Sequence, residues 1–172
     1  MQKDTILLFS KYNKAVNEKA DAIIKTLSPE EWDKNLGGFY KSVRGMCSHL
    51  YICDFNWLKR FSGLRDFPVF KDAFFSRDPY PFTETLFQDM GEYLAKRPVL
   101  DDKMLAFADE VKDEDLGVPL KYVDPKGNSN EKVFGGLVLH FLNHGTFHRG
   151  MLSLYLEMLG RENDFNSLRL ML

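Results

Sequence analysis

The stretch from His140 to Gly160, HFLNHGTFHRGMLSLYLEMLG, constrains this chain more than any other. The protein has 4 histidines, and His140, His144 and His148 fall here at successive spacings of four. An α-helix turns about 100° per residue, so i, i+4 and i+8 stack along one narrow face. Leu137, Met151 and Tyr155 project within about 20° of His144 on the same wheel. The imidazoles are therefore set in an apolar, core-facing stripe, with Thr146, Arg149, Ser153 and Glu157 on the opposite side. Polar rings on such a face need partners, and a metal ion satisfies several imidazoles together.

The rest of the chain bounds what those histidines can serve. Its 172 residues favour one domain, residues 1–172, with a full-sized core. A net charge of −2 leaves no electrostatic footprint for nucleic acid and no polybasic membrane anchor. No apolar run approaches the roughly 18 residues that span a bilayer. The opening MQKDTILLFSKYNK places charges where a signal peptide needs its apolar core. These features predict a cytoplasmic protein acting on a small molecule, with no nucleic-acid or membrane partner. Cys47 and Cys53 lie six apart in a helical segment, about 9 Å along the axis and on different faces, too far for a disulfide. They read as free thiols in a reducing compartment.

Helical periodicity recurs along the chain. Leu8, Phe9, Tyr12, Val16, Ile23 and Ile24 mark a first amphipathic helix from Asp4 to Leu27. Ser28-Pro29-Glu30-Glu31 offers an N-cap, Pro at the first helical position and an acidic first turn. A second long helix is predicted from Phe39 to Phe61, closed by Gly63. With His49 as reference, Ser42 and Asn56 share its line, and Cys53 and Arg60 lie within about 40°. Residues 64–82, rich in aromatics and proline, read as a long connection that lets the next helix cross the bundle. A third helix is predicted from Thr83, as N-cap, to Val111, with a kink or two abutting helices at Pro98. Two short β-like runs about Asp124-Pro125-Lys126-Gly127-Asn128 form a small hairpin, and the last helix covers 135–159. The expected fold is all-α: a four-helix bundle with a long crossover between helices 2 and 3 and a hairpin-like loop before helix 4. Val138, Leu142 and Leu156 extend beyond the core face of the last helix. That excess predicts a homodimer interface, unless the 64–82 connection covers it.

His144 and His148, one turn apart, can ligate one ion. His140 lies about 12 Å along the axis from His148 and cannot easily join them on a straight helix. It reads as a core or rim histidine. His49, on the inward line of helix 2, is the natural third ligand. Cys53, one turn later, is an extra or substitute ligand or, more plainly, a buried apolar helix residue. Neutral imidazoles leave a bound ion its full charge, so water or thiol on it loses a proton readily. HGTFH lacks the glutamate of HExxH, which excludes a protease of that type.

At these residues the sequence resembles the DinB/YfiT-like superfamily of four-helix metalloproteins, over essentially the whole chain. Asn143 to Gly150, NHGTFHRG, is similar to its NHxxxHRG signature. Tyr12-Asn13 resembles its YNxxxN opening, and Ser48-His49-Leu50 with Trp57-Leu58 its helix-two histidine and following tryptophan. Met151 departs from the glutamine that many members carry there. The resemblance implies a metal site of His49, His144 and His148 holding one divalent transition metal per chain, zinc or nickel foremost. It also implies a homodimer and a thiol-dependent S-transferase-like activity using a low-molecular-weight thiol. Arg60, Asn56 and Tyr155 are the residues expected to bind that cofactor, with Ser42 beside them. A metal-dependent hydrolase and a non-catalytic metal-binding stress-response protein are the alternatives.

Overall fold

A computed structural model describes residues 2–83, 85–165 and 168–172, without the side chain of Leu170. Helix α1 spans Lys3–Ile24, α2 Pro29–Asp33, α3 Val43–Phe61, α4 Met90–Glu110 and α5 Phe134–Met158. Strands β1 (Pro119–Val123) and β2 (Ser129–Val133) pair antiparallel just before α5. The architecture is the expected all-α bundle with a small hairpin.

Side-chain contacts fix how the long helices run. Lys14 pairs with Asp102 and Lys3 reaches the Asp109 carbonyl, so α1 and α4 are antiparallel. Asp54 meets Arg97 and Phe61 stacks on Phe107, so α3 and α4 are parallel. His49 faces His148 and Phe61 faces Phe134, so α3 and α5 are antiparallel. Parallel neighbours need a long return, which the segment between α3 and α4 supplies. That segment is held down rather than looped out. Asn56 exchanges both amide hydrogen bonds with the Tyr80 backbone, Arg77 lies 3.4 Å over the Tyr80 ring, and Phe75 stacks on Phe55.

Helix ends follow local chemistry. Ser28 and Glu31 form a capping box at the start of α2, as the sequence predicts. Helix α3 begins at Val43, not Phe39. Ser42 caps it by accepting from the Gly45 amide, and Lys41, with φ at 62°, turns the preceding chain out of any helical path. Helix α4 begins at Met90, not at Thr83. Asp89 accepts from the Glu92 amide, while Ser48 and Arg44 of α3 bond the backbone at Leu86, Phe87 and Gln88 and hold it out of the helix. Helix α4 then runs unbroken past Pro98, which sits on its solvent face, so two abutting helices are not what forms.

The apolar excess of α5 is redistributed. Val138, Leu142 and Leu156 are fully buried within the single chain. Helix α5 packs on α1 as well as α3, and one face cannot serve both. Leu139, Phe147, Leu154 and Met158 are instead the large apolar side chains that remain exposed on it.

Candidate metal centre

Helices α3 and α5 cross with His49 opposite the HxxxH pair. His49 Nε2 lies 3.3 Å from His144 Nε2 and 3.3 Å from His148 Nε2. The His144 and His148 rings stand 4.3 Å apart, as one helical turn dictates. Cys53 joins them: its Sγ is 3.6 Å from His49 Nε2, and His49, Cys53 and His144 present ligand atoms all within 4.8 Å of one another. His148 stands outside that mutually close trio and meets it through both His49 and His144.

Burial keeps these imidazoles neutral. Desolvation, with the neighbouring rings adding to it, pushes His49 and His144 down to about 4 and His148 down to about 3. Burial first, then Asp54, pushes the Cys53 thiol up to about 12. Neutral rings whose Nε2 atoms converge cannot all satisfy one another, because each carries only one N–H. A cation between them would meet every lone pair at once, so the donor set fits a divalent transition metal. The Nδ1 atoms of His144 and His148 are buried with no hydrogen-bond partner among the described residues. Ring packing therefore sets their orientation: Phe147 meets the His148 ring edge-on at 5.0 Å, and the His140 and His144 rings lie 6.1 Å apart.

A residue that periodicity does not flag completes the site. Tyr40 lies over His49, ring centroids 4.4 Å apart, with its hydroxyl 3.1 Å from His49 Nε2. It donates there in the tautomer that leaves Nε2 a lone pair. The loop before α3 is built to bring it in. A Cβ on Gly45 would fall 2.1 Å from the Tyr40 carbonyl oxygen, so only glycine admits that approach. Gly37 and Gly38 take φ of 83° and 70°, open to glycine at little cost. Phe39, Tyr40, Gly45, His49, Phe82 and Thr83 line a cavity of about 280 Å³ that opens beside the histidines. The Ser42 cap was a sequence signal that Tyr40 lies outside the helix, but no period says which way a loop residue points.

The other expected residues are placed as follows. Tyr155 donates to the Gly37 carbonyl, 2.8 Å, and so holds the loop that carries Tyr40. Asn56 is engaged by the Tyr80 backbone on both sides of its amide. Arg60 lies 4.9 Å from the centroid of the Trp57 ring and is close enough to Cys53 to influence its charge. Ser42 is the α3 cap. His140 is at the rim, against Trp57 at 5.3 Å and outside the mutually close trio. Arg149, on the wheel's opposite side, is not in solvent: it is buried and bonded to Asn13 of α1 and to Thr146.

Comparison with known proteins assigns the chain to a family. The protein named Protein DinB from Bacillus subtilis (strain 168) is 27% identical over 150 residues, covering 87% of this chain and 83% of the relative. The profile of the DinB family matches residues 1–168, and with the match spanning nearly its whole length, the chain belongs to the DinB family.

Proposed function

We propose that this protein is a metal-dependent enzyme of thiol-dependent S-transferase type, with His49, His144 and His148 as ligands to one zinc or nickel ion per chain. The observation that carries the reading is the convergence of neutral Nε2 atoms, 3.3 Å apart, beside a cavity of about 280 Å³. When bound, such an ion supplies Lewis acidity and holds a small thiol as thiolate. The chain's own residues do the rest. Tyr40, beside His49 at the cavity, is the group placed to donate a proton to an anion held there. Tyr155 positions Tyr40 through the Gly37 carbonyl. Phe39 and Phe82 give the cavity apolar walls. Arg60, half-buried near Cys53, is the cation for an anionic group on the thiol.

The cavity favours this reading over a purely structural ion, which needs no opening. Buried free thiols at Cys47 and Cys53 support a reducing, cytoplasmic setting, and among the described residues no helix is long and apolar enough to cross a membrane. The exposed stripe of Leu139, Phe147, Leu154 and Met158 on α5 supports a homodimer whose interface borders the site.

The test is a titration of Co²⁺-loaded protein with small thiols, followed by the visible absorption of the cobalt. A saturable spectral change with at least one thiol, lost in Tyr40→Phe or weakened in Arg60→Ala, supports the assignment. A cobalt spectrum blind to every thiol overturns it and leaves a hydrolase or a staple.

A further inference from the structure

Helix α5 carries a second cavity on its α1 side, away from the histidines. It measures about 310 Å³ and lies between Tyr12 of α1, residues of α5 from Thr146 to Ser153 and the chain from Asn163 to Phe165. We infer that this cavity binds a small zwitterion of the amino-acid class, with its carboxylate on Arg149 and its ammonium toward Asp164. The volume is at the lower end of the range for small-molecule sites. The inference stands apart from the metal reading above.

Arg149 is the anchor, and it is 3% exposed. Through Nη2 it donates to the Asn13 side-chain oxygen and to the Thr146 hydroxyl, and both partners are neutral. Asp54 and Asp101 act on it through space, but each already bonds Arg97. Nε and Nη1 donate to no acceptor among the described residues, and they are not among the unpartnered atoms sealed from solvent. They therefore open onto the cavity that Arg149 lines. Gly145 makes room for the group, since a Cβ there would lie 3.0 Å from Nη1. A buried guanidinium without a contacting counter-charge is costly, and its planar fork matches a carboxylate.

The rest of the wall defines what else the ligand carries. The Tyr12 hydroxyl donates to the Phe165 carbonyl at 2.6 Å, that of Ser153 to Asn163 Oδ1 at 2.7 Å and that of Thr146 to the Leu142 carbonyl at 3.2 Å. A hydroxyl has a single hydrogen, so these residues present only acceptor lone pairs to the cavity. The Asn163 amide donates to the Ser153 and Arg161 carbonyls. Asp164 adds a carboxylate to the same wall. Arg149 is thus the side-chain donor of the cavity among the described residues, and the other polar groups accept. A dianion such as phosphate would face the Asp164 charge. A carboxylate that also bears an ammonium suits both ends, because an ammonium only donates.

The cavity can be closed without touching its anchor. A Cβ added at Gly150 meets nothing within 4 Å, so a larger side chain there enters the cavity and not the packed bundle. Gly150→Leu also exchanges a poor helix former for a good one. Arg149→Met removes the anchor itself, but it takes the donor from Asn13 and Thr146 as well.

Isothermal titration calorimetry of the full chain as purified tests this, with glycine and serine as probes. Saturable binding of at least one is expected. Glycinamide, which lacks the carboxylate, and acetate, which lacks the ammonium, should bind about tenfold more weakly or worse, the loss of one charge-assisted contact. Gly150→Leu should abolish binding while its circular dichroism stays that of wild type, and Arg149→Met should do the same if it folds. Binding that survives in Gly150→Leu but is lost on chelation places the amino acid on the metal and overturns the inference. So does the absence of saturable heat with both probes, or phosphate binding as tightly as glycine.

Discussion

The bundle buries two polar clusters, and they are stabilised in opposite ways. Between α1, α3 and α4, Arg97 lies at the centre of a closed set: it donates to Asp54 at 2.8 Å and to Asp101, and Asp101 also accepts from Asn17 at 2.8 Å. These side chains are almost wholly buried, yet every charge faces an opposite one. Between α3 and α5, the histidine Nε2 atoms converge, and the Nδ1 atoms of His144 and His148 have no partner among the described residues. The first cluster is complete from the chain alone. In the second, a cation would match the facing Nε2 atoms. A buried polar group without a partner costs free energy, and three imidazoles crowded around one point are a natural place for a partner from outside.

The largest expected effect breaks the first cluster. Arg97→Met leaves Asp54 and Asp101 buried without their cation and should lower stability by about 3–5 kcal/mol. Urea unfolding reads the loss, and metal content should not change. Next comes metal removal. Chelation should lower stability by the binding linkage, about 2.7 kcal/mol at a free ion concentration 100 times Kd. Helical circular dichroism should persist, because the aromatic core around Phe61, Phe107 and Phe134 lies on the far side of Trp57 from the ion. Collapse to an unfolded chain would mean that the ion acts as a staple.

His144→Ala should reverse the pattern of Arg97→Met. The metal-free variant should lose no more than about 1 kcal/mol, since the change also removes an unmatched buried N–H. Metal retention should fall sharply. A further effect is in pH dependence. His49, His144 and His148 stay neutral in the fold down to about 4 or 3, whereas the unfolded chain protonates them near 6.5. The unfolded state therefore binds more protons in that window, and metal-free stability due to them rises with pH from about 4 to about 6.5. Asp21, Asp54 and Asp101, raised chiefly by burial, work in the opposite sense. The difference between wild type and His148→Ala isolates the histidines: wild type should gain stability more steeply with pH across that range. Equal slopes would show that His148 is not held neutral.

The two clusters were unequally legible in the sequence. The histidines declared themselves because spacing of four on one helix and a matching inward line on another are local properties. The long crossover was legible too, from the aromatic, proline-rich segment between helices. The charge cluster was not, because Asp54, Arg97 and Asp101 are ordinary charged residues until tertiary packing brings them together. Arg149 misled for the same reason: a wheel ranks faces relative to one neighbour, and α5 has two. The late start of α4 shows side chains from elsewhere deciding a boundary, since Ser48 and Arg44 bond the bent approach to α4. Tyr40 was missed because a loop residue's direction comes from Gly45 and Tyr155, distant in sequence or silent in it.

The central claim is that the histidine cluster is a metal site. The most direct measurement is elemental analysis of protein purified without an affinity tag, wild type beside His49→Ala. The account predicts close to one transition-metal ion per chain in wild type and almost none in the variant. Wild type carrying no metal, and taking up none from added zinc or nickel, would contradict it and return His49, His144 and His148 to the packing of the bundle.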